Sequence, residues 1–272
     1  MSMGQTGIDR LRGAFAARKA EGRTALVMYL MAGDPDPAFT ADLVPKLHEA
    51  GADVVELGFP FSDPIADGPV IQLAGLRAMP HFNGLPPFLE LVRKIGDASP
   101  IPLVLMTHYN PIFRYGEEAF ANDAAQAGLA GVILPDLPTM EAGEWPQRCK
   151  AAGIAPVMLE APNSDDDAAR AIAEMSAGFI YMLSLKGVTG SDQGMGENLN
   201  ARVERLRSLT DIPLTVGFGI STPEQAKTMG ALCDGVAVGT GLVRRIGEAA
   251  SHAEAEKAAV EYVRSLRAGL DG

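Results

Sequence analysis

Along the chain, short runs of β-branched and apolar residues alternate with longer segments in which apolar positions recur every three or four residues. The short runs read as buried strands and the longer segments as amphipathic helices, so the alternation predicts a parallel sheet joined by crossover helices. Predicted strands cover 25–31, 53–58, 103–106, 131–134, 155–159, 179–183, 214–217 and 235–238. Predicted helices cover 39–50, 87–95, 117–127, 141–152, 165–177, 199–209, 222–229 and 252–268, and a further helix precedes the first strand. Helix boundaries carry the expected chemistry. In "STPEQ", Ser221 or Thr222 can cap, Pro223 suits the first turn and Glu224 favours the positive end of the helix dipole. "EAGAD", "AQAGLAG" and "KAAGIAP" each place a glycine where a helix gives way to a strand. Eight strands alternating with crossovers, at a spacing of roughly 30 residues, predict an α/β fold of one domain over residues 1–272, a closed TIM (β/α)8 barrel with an extra N-terminal helix. A doubly wound open sheet is the other architecture with this alternation, but "MAGDPDP" after the first strand lacks the G-x-G-x-x-G turn.

Composition narrows the partners. A chain of 272 residues with 47% apolar and 21% charged residues can bury a sizeable core. Its formal net charge of −11 argues against nucleic acid or an anionic membrane as a general partner, because both need a basic surface. An anionic small molecule can still bind through backbone amides. "TALVMYLMAG" and "IPLVLM" fall short of the roughly 20 apolar residues that span a bilayer. The N-terminus lacks the apolar core and cleavage site of a secretory signal, so the expected location is the cytoplasm. Cys149 and Cys233 stand without metal-ligand spacing and read as reduced, buried thiols; no metal site is expected.

In a barrel of this kind the site lies at the C-terminal ends of the strands. The stretch "VVELGFPFSDPIADGP" places Glu56 inside an apolar strand and Asp67 in the Pro- and Gly-rich loop that follows, here termed loop two. A strand glutamate must lose water, so it is either held in a buried salt bridge or is a carboxyl whose raised pKa suits it to both acid and base work near neutral pH. Asp67, in a constrained and partly wet loop, suits an ionised partner that holds a positive charge or an N–H. After the last two strands, "VGFGIS" and "AVGTG" bring Gly217, Gly219, Gly239 and Thr240 to one rim, where amides and a helix starting near Thr240 can hold a phosphate. The polar segment 184–200, with four glycines, reads as a lid over the mouth. His48, His81 and His252 lack a partner motif, whereas His108 directly follows the third strand and faces the site; Trp145 reads as helix packing.

These residues resemble the α subunit of tryptophan synthase over nearly the whole chain, through "ELGFPFSDPIADGP", "AGDPD", "YNPIF", "PDLP", "GVTG" and "GFGISTPEQ" in that order. The resemblance implies a TIM barrel that cleaves indole-3-glycerol phosphate to indole and glyceraldehyde 3-phosphate by a retro-aldol reaction. It implies Glu56 as general acid and base, and Asp67 as the carboxylate on the indole N–H. It further implies Tyr29, Leu159, Tyr181 and Phe218 around the indole, Thr189 as an ordering contact for Asp67, and Gly190, Gly217, Gly219, Gly239 and Thr240 at the phosphate. The implied partner is a pyridoxal-phosphate-dependent β subunit in an α2β2 assembly, met through Pro60, Asp63, Asn110 and Pro138. No cofactor is implied in this subunit.

Some positions depart from that pattern. Met28 and Met31 stand where Pro and Thr are usual, His108 where Tyr is common, and Glu160 where an apolar residue is typical. Each is expected at the rim of the site. Met31 would withdraw a hydroxyl from loop two and Glu160 would add negative charge near the mouth. A stand-alone lyase, another phosphate-substrate barrel such as an isomerase, and a weakly catalytic subunit that mainly activates β are the competing readings.

Overall fold

The computed structural model describes residues 5–64, 67–184, 193–217 and 219–272, with side chains from 199 onward in the third segment. Nine parallel strands run β1 Ala25–Met31, β2 Val54–Gly58, β3 Leu103–Met106, β4 Gly131–Ile133, β5 Ala155–Val157, β6 Leu159–Glu160, β7 Ile180–Leu183, β8 Leu214–Gly217 and β9 Gly235–Val238. Their order, β5-β4-β3-β2-β1-β9-β8-β7-β6, begins and ends on two strands that are consecutive in the chain. The ring therefore closes through Met158, and β5 and β6 are the two halves of the one strand expected over 155–159.

The break is set by the neighbouring segment that leads into β7. The Pro156 carbonyl accepts from Ala177 N at 2.9 Å, on the side facing β7. The Ala177 carbonyl, which would accept the next amide of this ladder, instead accepts from Phe179 N at 2.9 Å across the left-handed Gly178, φ +74°. The first half pairs with β4, and pairing with β7 starts only at Leu159, opposite Tyr181.

Alternation sorts the strand residues into two cores. Ala25, Val27, Val54, Val104, Ile133, Val157, Phe179 and Ala237 fill the barrel, while Leu26, Met28, Leu30, Val55, Leu57 and Leu105 pack outward under the helices. Helix Gly7–Ala20, opened by a Thr6–Asp9 capping box, closes the bottom by inserting Leu11 and Phe15, the latter 5.5 Å from Phe179. The expected helices appear with shifted ends: 141–152 begins at Trp145, and 199–209 is Gln193–Arg207. Helices Pro69–Ala78 and Tyr109–Tyr115, inside segments read as loops, were not expected. Of the expected lid, residues 185–192 lie outside the described residues and the rest after Ser184 belongs to the helix Gln193–Arg207. Trp145 is buried against Phe120, and both cysteines are buried and free.

Candidate active site

Glu56 occupies the inward-facing row of β2, above Val54. It is fully buried, and among the described residues neither of its carboxyl oxygens has a hydrogen-bond partner. The buried salt bridge that would explain it structurally is not formed with any of them. Burial alone pushes its pKa up to about 8, because the anion loses water and gains no compensating donor.

Two tyrosines flank it. Tyr29 is its register neighbour on β1, and Tyr181 enters the barrel from β7. Both phenols are pushed well up, first by burial and then by nearby acids: Asp67, Glu56 and Asp34 for Tyr29, and Glu56 for Tyr181. Tyr29 thus feels both candidate carboxyls, which sets Glu56 and Asp67 around one region of the mouth. Leu159 lies beside Tyr181 in register and faces the same interior.

Asp67 is half-buried, and its backbone is held at both ends. Its N–H donates to Pro64 O at 3.1 Å, and its carbonyl accepts from Gln72 Nε2 at 2.8 Å. Burial raises its carboxyl pKa, and the charge of His108 opposes that rise. His108 is buried and stacks on Phe61 of loop two, with ring centroids 4.9 Å apart.

The adjoining rim is built by β8 and β9, which are neighbours in the ring, and β9 meets β1 on its other side. Gly219 takes a left-handed φ of +81°, and Gly239 leads into helix Thr240–Glu248, whose first turn has no side-chain cap among the described residues. That leaves leading amides and the positive end of the helix for an anion, beside exposed Thr240. Gly217 serves differently from expectation: a Cβ there would lie 2.1 Å from Tyr181 Oη, so its missing side chain makes room for that tyrosine. Phe218, Thr189 and Gly190 lie outside the described residues.

Of the expected partner contacts, Asp63, Asn110 and Pro138 are exposed, whereas Pro60 is buried and offers no surface in the free chain. Exposed apolar side chains lie close in sequence to them: Phe113 at 67% and Met140 at 97% exposure. Asp136 of "PDLP" was missed from sequence. Its carboxylate accepts from Tyr109 N at 2.9 and 3.1 Å, capping the helix that begins there from the next loop round the barrel. Asp136→Ala should cost about 1 kcal/mol in urea unfolding, as loss of a helix cap does, and should loosen the first turn of the helix, which carries Asn110.

The sequence pattern that defines the tryptophan synthase alpha chain matches residues 15–270. The chain belongs to the tryptophan synthase alpha chain family. The tryptophan synthase alpha chain of Geobacter sulfurreducens is 43% identical over 263 residues, 97% of this chain and 99% of its own. That of Geobacter sp. (strain M21) is 46% identical over 237 residues, 87% of this chain and 89% of its own. The crystal structure of tryptophan synthase subunit alpha from Legionella pneumophila superposes with a TM-score of 0.87 at 36% identity, covering 96% of this chain and 98% of that one.

Against the family pattern, the departures do other work than expected. Met28 is fully buried in the outer core, away from the rim. Met31 packs with Ile71, Ala74, Ala78 and Val243, so it fastens helix Pro69–Ala78, which follows loop two, by apolar contact. Glu160 does not add free charge to the mouth. It is fully buried and paired with Arg202 and Arg205, and Arg202 Nη2 also donates to Leu183 O at 2.8 Å.

Proposed function

We propose that in the reaction of this family, the retro-aldol cleavage of indole-3-glycerol phosphate to indole and glyceraldehyde 3-phosphate, Glu56 moves both protons and Asp67 steadies the ring. The observation that carries this reading is a fully buried, unpartnered carboxyl with a pKa about 8 in the inward row of β2. Such a group is protonated at neutral pH yet ready to ionise. It gives its proton to indole C3, which interrupts the aromatic ring and leaves positive charge on the ring nitrogen. Asp67, ionised and wetter, stabilises that N–H. The resulting Glu56 carboxylate then takes the proton of the glycerol hydroxyl; the carbon–carbon bond breaks as the aldehyde forms, and its electrons restore the indole. One proton leaves Glu56 and one returns, so the carboxyl is regenerated. Gly219, Gly239 and Thr240 hold the phosphate by main-chain amides, which lets an acidic chain bind an anionic substrate.

The order of steps fixes the sign of the pH dependence. The competent free enzyme has Glu56 protonated and Asp67 ionised, so kcat/KM should be bell-shaped. Its basic limb should fall about tenfold per pH unit above a pH of about 8. A rate that rises through that range would remove the acid-first step.

The exposed residues Asp63, Asn110 and Pro138, with exposed Phe113 and Met140 close in sequence to the last two, are read as belonging to the face for a β subunit in an α2β2 assembly that receives indole. Pyridoxal phosphate belongs to that partner; this chain's part is proton transfer. The expected location is the cytoplasm, where a phosphorylated substrate is retained. Indole release measured with the isolated chain and again with β added tests the role. Strong stimulation by β supports the subunit reading, full activity alone a stand-alone lyase, and none in either case a regulatory subunit.

A further inference from the structure

His108 brings two features together that the cleavage scheme leaves unused. The residue is 7% exposed with its ring stacked on Phe61, and its Nε2 is buried without a hydrogen-bond partner among the described residues. A buried ring nitrogen left unpaired is costly and calls for a partner. Phe61 belongs to loop two, the loop that ends in Asp67, so the stack fastens the imidazole to the segment carrying that carboxylate.

Among the described residues, acids lie on three of the elements around this position. Asp67 lies in the loop on which the ring stacks, and Asp136 of the neighbouring loop accepts from the amide of the next residue, Tyr109. Glu56 lies deeper in the barrel, on the adjacent strand. Asp136 is committed to its cap, and Glu56 loses its water without gaining a cation. The stack on Phe61 leaves Asp67, in the same loop, as the acid for His108, and the imidazole opposes the rise that burial gives that carboxyl.

We propose that His108 is a positioning residue for Asp67: seated on Phe61, it turns its unpartnered nitrogen to the Asp67 carboxylate and keeps that carboxylate ionised and aimed at the ring N–H. The inference rests on the role given to Asp67 above. It makes the loop-two acid dependent on a side chain from the loop after β3, which leads directly into the helix that carries Asn110.

The test uses the full chain. His108→Phe keeps a flat ring on Phe61 and removes both nitrogens. The acidic limb of kcat/KM should move up by about one pH unit, since a charge removed from beside a carboxylate shifts its titration by that order. Activity on the acidic side should fall about tenfold, while the basic limb stays in place. His108→Gln, which can donate without carrying charge, should recover part of the rate and keep the shifted limb. As a second readout that needs no substrate, histidine-15N NMR of the four-histidine chain should show an imidazole N–H resonance of His108 that moves or vanishes in Asp67→Asn. An acidic limb in His108→Phe that superimposes on the wild type, or a His108 resonance indifferent to Asp67→Asn, overturns the proposal. Because the NMR arm is independent of turnover, it distinguishes a failed His108–Asp67 pair from a failed cleavage reaction.

Discussion

Replacing Glu56 by Gln should lower indole release by about a thousandfold, the middle of the range for loss of a positioned acid or base, and should also change how stability depends on pH. Both effects come from one cause. The amide keeps the shape of the side chain but neither gives a proton to C3 nor takes one from the glycerol hydroxyl. In the folded wild type the Glu56 pKa stands at about 8, against 4.5 for the exposed group. Folding therefore favours the protonated form. Its contribution is fully present below the unfolded value and is lost as pH rises through the folded one, because the unfolded chain then binds fewer protons than the native state. Relative to Glu56→Gln, the wild type should lose roughly 1.4 kcal/mol per pH unit between those two values, a total of a few kcal/mol. Urea unfolding of both proteins from pH 4 to 9 measures the gap, and binding of glycerol phosphate should be unchanged because the anion rim is untouched. A variant that still turns over near the wild-type rate, or a gap flat with pH, would mean that Glu56 is neither the proton carrier nor a desolvated acid.

The second large effect is expected at Glu160. Its carboxylate is fully buried and receives Arg202 Nε at 3.1 and 3.0 Å and Arg205 Nη2 at 3.1 Å. Arg202 is itself 5% exposed. Glu160→Gln leaves a buried guanidinium without its counter-charge, and breaking one side of such a pair costs about 3–5 kcal/mol, or roughly 10 °C in melting temperature. The consequence should extend to function. Arg202 also holds the carbonyl of Leu183, two residues beyond Tyr181, so KM should rise as the end of β7 loosens. Replacing Glu160 and Arg202 together by leucine should recover most of the stability, since an apolar pair of similar volume avoids the desolvation of both charges. Calorimetry of the single and double variants decides it. A single variant as stable as the wild type would show that the pair contributes nothing.

The sequence alone determined the strand–helix alternation, the barrel and the place of Glu56 inside a buried strand, because each is written in short-range chemistry. Short continuous apolar runs, helix caps and a charged residue inside an apolar strand need no distant information. It also singled out the glycine rim after the last two strands. What it could not determine was which groups meet. Whether Glu56 was a salt-bridged acid or an unpartnered one depends on what lies across the barrel. The purpose of Gly217 depends on a tyrosine from another strand, and Glu160 looked like a loose charge until Arg202 and Arg205 came down on it from a distant helix. The division of one predicted strand into β5 and β6, the Asp136 cap and the stacking of His108 on Phe61 are of the same kind. Local structure follows from the few residues on either side of a position, whereas pairing, desolvation and the field at a carboxyl are set by neighbours far away in the chain, which only the closed barrel brings together.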